Sequence, residues 1–135
     1  MKILSKILFM LCISMALLSC EEDEGLLPAI SFKTAAGYTS DDVTLSSGSE
    51  ITIGITAKKT EDKDVLKQFN ISEAVNGDTP GTVLTESLSG SDEDNYEYDY
   101  TTTVEGDSGD THEFVFTVSN RDGLVNQVSL VVTIE

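Results

Sequence analysis

Three short acidic runs hold most of the chemical potential of this 135-residue chain: Glu61-Asp62-Lys63-Asp64, Asp92-Glu93-Asp94-Asn95, and Asp122 within Asn120-Arg121-Asp122-Gly123. Carboxylates are hard oxygen donors of the kind that Ca²⁺ collects, about six to eight at a time. Asp62, Asp64, Asp92, Asp94 and Asp122 are therefore candidate calcium ligands, provided the fold gathers them at one place. Against this, Lys63 interrupts the first run, no Asp-x-Asp-x-Asp-Gly loop is present, and spacing alone does not fix a coordination sphere. The competing reading is a set of solvated loops. Asp92 with Asp94 would also suit glycoside hydrolysis, which needs two carboxyl groups about 5–9 Å apart across a cleft, and a small domain has little room for one. Nucleophilic catalysis lacks its parts. His112 is the only histidine, it stands between Thr111 and Glu113, and there is no Gly-x-Ser-x-Gly, His-Glu-x-x-His or nucleotide-binding glycine loop. Such a histidine is expected to be an exposed or partly satisfied residue at a strand start. The expectation is a protein that is not an enzyme and carries no cofactor, calcium being the one candidate.

Aromatic residues offer a second kind of site. Tyr96, Tyr98 and Tyr100 alternate with Glu97 and Asp99, so all three share one face of a strand. Facing inward they are core; facing outward they would be a platform for stacking sugar rings. The acidic residues on the opposite face favour core. Tyr38, beside Gly37, is the remaining aromatic placed to contact a ligand, and the absence of tryptophan weakens a carbohydrate-binding case.

These residues follow a distinctive N-terminus. Lys2 and Lys6 precede an apolar run at residues 7–18, broken only by Ser14, which falls short of the roughly 20 residues a spanning helix needs. The run ends in Leu17-Leu18-Ser19-Cys20. This order resembles a bacterial lipoprotein signal, in which the cysteine after a small residue is diacylated and becomes the mature N-terminus. The resemblance implies a signal peptide at 1–19, a lipidated acidic tether at 20–27 and a domain at 28–135. Cys12 leaves with the signal and Cys20 carries lipid, so neither a disulfide nor thiol chemistry is expected. Glu21, Glu22, Asp23 and Glu24 directly after the cysteine resemble the export signal of Bacteroidetes surface lipoproteins, which implies an outer-membrane anchor at the cell surface. A plain charged spacer, with the domain on the periplasmic face, is the alternative.

Charge excludes one class of partner. All 24 acidic residues follow Cys20, whereas two of the eight basic ones precede it, leaving six bases against 24 acids in the mature chain. That field repels phosphate backbones, so nucleic acid is not an expected partner. It could also mark disorder, but apolar residues recur with a period of two, which solvated disordered chains rarely show.

The alternation predicts strands at about 28–34, 42–46, 50–58, 66–74, 82–88 and 96–104, then one carrying Phe114, Phe116 and Val118 inward and a last one carrying Val128, Leu130, Val132 and Ile134. Residues 62–66 could instead make one helical turn. Asn76-Gly77, the 89–92 cluster, 106–110 and Asp122-Gly123 supply turns. Strands of this length and spacing describe a two-sheet sandwich.

The ending Phe114-Val115-Phe116-Thr117-Val118-Ser119-Asn120-Arg121-Asp122-Gly123-Leu124, followed by an alternating strand, resembles the closing hairpin of bacterial immunoglobulin-like, cadherin-like and PKD-like domains. The resemblance implies an all-β immunoglobulin-like sandwich of seven or eight antiparallel strands. The paired cysteines and core tryptophan of antibody-type domains are missing, which leaves antibody-like recognition unsupported. The expected partners are the membrane, through the lipid, and a surface protein; a glycan is the alternative, as in accessory proteins for polysaccharide uptake.

Overall fold

A computed structural model describes residues 25–135; Cys20 and the acidic Glu21, Glu22, Asp23 and Glu24 lie outside the described residues. Eight strands run β1 (Ala29–Phe32), β2 (Val43–Leu45), β3 (Ser49–Lys58), β4 (Leu66–Val75), β5 (Gly81–Ser87), β6 (Asn95–Val104), β7 (Thr111–Asn120) and β8 (Val125–Ile134). One short 3-10 turn at Gly90–Glu93 separates β5 from β6. The sheets are β1-β3-β6 and β2-β8-β7-β4-β5, which is the strand arrangement of an immunoglobulin-like sandwich. All eight expected strands are present. The turn expected as a possible helix at 62–66 is not helical; residues 62–63 form a tight turn closed by Asp64 N–H donating to Glu61 O at 3.2 Å.

One pairing departs from the all-antiparallel expectation. β2 lies parallel to β8, with Val43 opposite Val132 and Leu45 opposite Ile134. The chain leaves β1 on the three-stranded sheet, crosses the sandwich edge over residues 33–42, and must then enter the other sheet in the direction it is already travelling.

The core follows from the alternation. Ile53 and Ile55 on β3, Phe69 and Ile71 on β4, Phe114, Phe116 and Val118 on β7, and Leu130 and Val132 on β8 are all fully or almost fully buried between the sheets. Leu66 and Phe69 stand three apart and are both buried, although strict alternation would send them to opposite faces. A bulge between Leu66 and Gln68 in the pairing with β7 turns Leu66 inward. Where antibody domains use tryptophan against a disulfide, this core uses rings. Phe69 lies 5.1 Å from Tyr96, 5.6 Å from Tyr98 and 6.4 Å from Phe116, centroid to centroid. The three β6 tyrosines therefore face the core, Tyr96 buried and the other two packed against it.

Turns close the hairpins with few residues. Asn76 and Gly77 both take positive φ, at 53° and 75°, as a tight turn between twisted strands requires. Gly123 likewise sits at φ 81° in the β7–β8 turn.

Candidate functional site

The N-terminal segment docks on one end of the sandwich before β1 begins. Leu26 N–H donates to Glu61 Oε2 (2.9 Å), Leu26 O accepts from Asn120 Nδ2 (3.4 Å), Leu27 O accepts from Thr60 Oγ1 (2.9 Å) and Pro28 O accepts from Asn126 Nδ2 (2.9 Å). Residues 25–27, expected to be tether, are thus held to the domain. The loops at 59–65 and 121–124 meet there, and a cleft of about 400 Å³ opens between Gly25, Glu61, Asp62, Lys63, Asp64, Arg121 and Asp122.

Three of the five candidate calcium ligands, Asp62, Asp64 and Asp122, therefore share a cleft, but the oxygens of Asp64 and one oxygen of Asp122 have other partners. Asp64 is only 1% exposed, with Oδ1 accepting from Val65 N–H (2.7 Å) and Oδ2 from Asn120 Nδ2 (2.6 Å). Asn120, 3% exposed, also accepts Leu124 N–H on Oδ1 (2.8 Å), so one buried amide ties both loops to the docked N-terminal segment. Asp122 pairs with Arg121 (3.2 Å), whose Nη1 donates to Lys63 O (2.7 Å). Asp94 lies outside the cleft, paired with Lys59 (2.6 Å), and Asp92 sits in the 3-10 turn. Among the described residues no group of three or more His, Cys, Asp or Glu side chains is arranged to hold a metal ion.

Tyr38 lies on the outer face of the three-stranded sheet. Lys33 N–H and Thr39 N–H donate to Gly54 O and Thr52 O, which lays the 33–39 segment along β3. Gly54 makes room for it, since a Cβ there would come within 2.7 Å of both the Tyr38 ring and the Lys33 side chain. The Tyr38 hydroxyl donates to Asp99 Oδ2 (2.9 Å), and Lys33 Nζ bonds Asp99 (2.8 Å) and Glu97 (3.0 Å) from 5.6 Å over the Tyr38 ring. Hydroxyl pairs Thr52–Thr101 (2.9 Å) and Ser31–Thr56 (3.0 Å) cover the rest of this face. The Tyr38 hydroxyl is thus already committed to its own sheet.

This cluster makes a testable pH dependence. Hydrogen bonds from Lys33, then from Tyr38, hold the Asp99 carboxyl below its ordinary range. A carboxyl depressed in the folded state contributes stability that is fully present above its unfolded pKa and is lost as pH falls through the folded value. Wild type should therefore lose stability on acidification through and below about pH 4, the ordinary aspartate range. Asp99→Asn should flatten that part of a melting-temperature profile taken from pH 6 to pH 2; an unchanged slope would exclude the cluster as its source.

His112 stands at a strand start with its nitrogens satisfied, the second of its two expected states, and is buried rather than exposed. It is 7% exposed, faces inward at the start of β7, and stacks against Phe114 at 6.3 Å. Nδ1 lies 2.7 Å from Glu73 Oε1 and Nε2 lies 3.1 Å from Glu105 O. Both ring nitrogens are engaged, which leaves neither for activating a hydroxyl.

The opposite end of the sandwich is also interlocked. Asn76 donates through its backbone to Thr111 O (2.8 Å) and through Nδ2 to Asp110 Oδ1 (2.9 Å), and it accepts Thr111 N–H on Oδ1 (2.9 Å). Asp110 Oδ2 accepts Asp107 N–H (2.8 Å), and Gly106 N–H reaches Ser47 Oγ (3.1 Å). Asp107 N–H first, then Asn76, lowers the Asp110 pKa from its ordinary value. The loops joined in this way carry Asp78, Glu105, Asp107 and Asp110 and no lysine or arginine. Sequence reasoning missed the roles of Asn76 and Asn120; their signal was asparagine at the edge of a glycine turn, where its amide can bridge backbones.

No protein-family model matches the chain, and no curated protein matches its sequence. Among solved structures it is similar to the superoxide reductase (neelaredoxin) from Ignicoccus hospitalis, with a TM-score of 0.51 and 8% identity over 82% of this chain and 81% of that one. The sporulation control protein Spo0M from Bacillus subtilis aligns at a TM-score of 0.40 and 11% identity over 81% of this chain and 49% of its own length. At 8% identity the first likeness extends to the sandwich fold and no further.

Proposed function

We propose that this chain is an outer-membrane lipoprotein, anchored through Cys20, that displays one immunoglobulin-like sandwich at the cell surface and works by non-catalytic contact with a protein partner. The observation that supports this reading is the placing of the two ends. The backbone enters at the end formed by 59–65 and 121–124, while 76–80 and 105–110 are interlocked at the other. An anchor attached upstream of Gly25 leaves the interlocked loops farthest from the bilayer, preorganised by Asn76 and Asp110, so that binding need not first order them. The commitment of both His112 nitrogens supports a non-catalytic role.

Expression of the full chain in an outer-membrane bacterium tests the reading. Wild type should fractionate with membranes, carry diacylglycerol on Cys20 by mass spectrometry, and lose its domain when intact cells are treated with protease. Cys20→Ala should abolish the lipid and the membrane fraction together. An unmodified Cys20, or a domain protected on intact cells, would overturn surface anchoring. For the contact itself, Asp78→Lys with Asp107→Lys should weaken cross-linking to a surface protein, whereas Lys63→Glu should not; the reverse pattern would place contact at the wrong end. Saturable affinity on a glycan panel, lost in Tyr38→Ala, would move the assignment to the glycan alternative.

A further inference from the structure

The anchor-side end carries a feature that a stand-off spacer has no use for. Leu26, Leu27 and Val125 are 58%, 52% and 50% exposed. All three stand at one end of the sandwich, since Asn120 bonds Leu26 O and Asn126, next to Val125, bonds Pro28 O. The backbone of Leu26 and Leu27 is fixed by Glu61, Asn120 and Thr60, so the chain holds these side chains in water rather than leaving them there by fraying. The same end carries Lys58, Lys59, Lys63, Lys67 and Arg121, five of the six basic residues beyond Cys20. Three of the acidic neighbours are paired with cations, as Lys59–Asp94, Lys67–Glu93 and Arg121–Asp122. The end most nearly balanced in charge is thus also the apolar one, whereas the interlocked loops opposite carry acids alone.

We propose that Leu26, Leu27 and Val125 seat the domain in the headgroup layer of the phospholipid bilayer that holds its anchor. The inference rests on lipidation at Cys20. Leu26 is six residue steps beyond Cys20, and an extended chain spans at most about 3.6 Å per residue, so the anchor keeps the patch within roughly 22 Å of the acyl boundary. Insertion is then an intramolecular step at high effective concentration, which lowers the affinity required of three apolar side chains. The seat would fix the orientation of the sandwich and hold loops 76–80 and 105–110 outward.

The test uses the full lipidated chain with a single cysteine bearing an environment-sensitive fluorophore, introduced as Leu27→Cys, Val125→Cys or, as a distal control, Ser108→Cys. In phosphatidylcholine/phosphatidylglycerol vesicles, labels at 27 and 125 should shift to the blue and be quenched by iodide about threefold less than in the unlipidated protein, with the label at 108 unchanged. Adding Leu26→Ser should restore quenching at 125, which separates a seat from mere tethering nearby. Equal quenching at 27, 125 and 108 in protein that floats with vesicles would overturn the seat while leaving the anchor standing. Protein that does not float and has an unmodified Cys20 would overturn the anchor and the seat with it. Protection that appears without vesicles and grows with protein concentration would assign the patch to a second copy instead.

Discussion

Replacing Phe69 by alanine is expected to cost about 3–5 kcal/mol, the usual range for removing a buried phenylalanine, and to lower the melting temperature of a domain this size by roughly 15 °C. The ring is fully buried on β4 and is the point where the sheets interlock, touching Tyr96 and Tyr98 from β6 and Phe116 from β7. Tyr96 cannot slide into the vacated space, because its hydroxyl is hydrogen-bonded to Glu86 at the open edge between β5 and β6. The cavity therefore persists, and the lost dispersion and transfer energies add. Phe69→Leu, which refills most of the volume, should cost less than half as much. Thermal unfolding followed by circular dichroism checks both. A loss below about 1 kcal/mol in Phe69→Ala would mean that the sheets are held elsewhere.

How far the sequence discloses this molecule depends on whether a feature is periodic or positional. The inward faces of β3, β6, β7 and β8 are legible because burial repeats every second residue, and the facing of Tyr96, Tyr98 and Tyr100 follows from the same rule. The parallel entry of β2 is not legible. Val43, Thr44 and Leu45 make too short a run to specify a partner, and the choice is made by β8, about 90 residues away in sequence. The inward turn of Leu66 depends on a bulge that no alternation can announce.

The acidic residues show the same limit. Composition reveals that loops 59–65 and 92–95 are rich in carboxylates, yet nothing local separates Asp64, which is buried, from Asp62 two residues earlier, which is exposed. That distinction is made by Asn120, far along the chain. The burial of His112 is illegible for the same reason, since its partners Glu73 and Glu105 come from other segments.

Asp64→Ala should cost about 3 kcal/mol, because it strands two donors that the fold has enclosed, Val65 N–H and the Asn120 amide, at about 1–3 kcal/mol each. Asn120→Ala should cost a similar amount, since it withdraws the amide from Asp64, Leu26 O and Leu124 N–H at once. Measured together, the two losses should fall short of their sum by about 1–2 kcal/mol, the signature of a shared contact. Asp64→Asn is the sharper probe. An amide offers one acceptor and one donor where two acceptors are needed, so it can satisfy Val65 or Asn120 but not both. Calcium distinguishes this role from ligation. A metal bound only by the folded protein must raise the melting temperature with concentration, whereas carboxyl oxygens already occupied by Val65 and Asn120 should leave the wild-type transition unmoved in millimolar calcium. A rise in wild type that Asp64→Asn abolishes would return Asp64 to the metal. Loss of stability in both variants, indifferent to calcium, would establish the carboxyl group as the clasp that closes the anchor-side loops over the incoming chain.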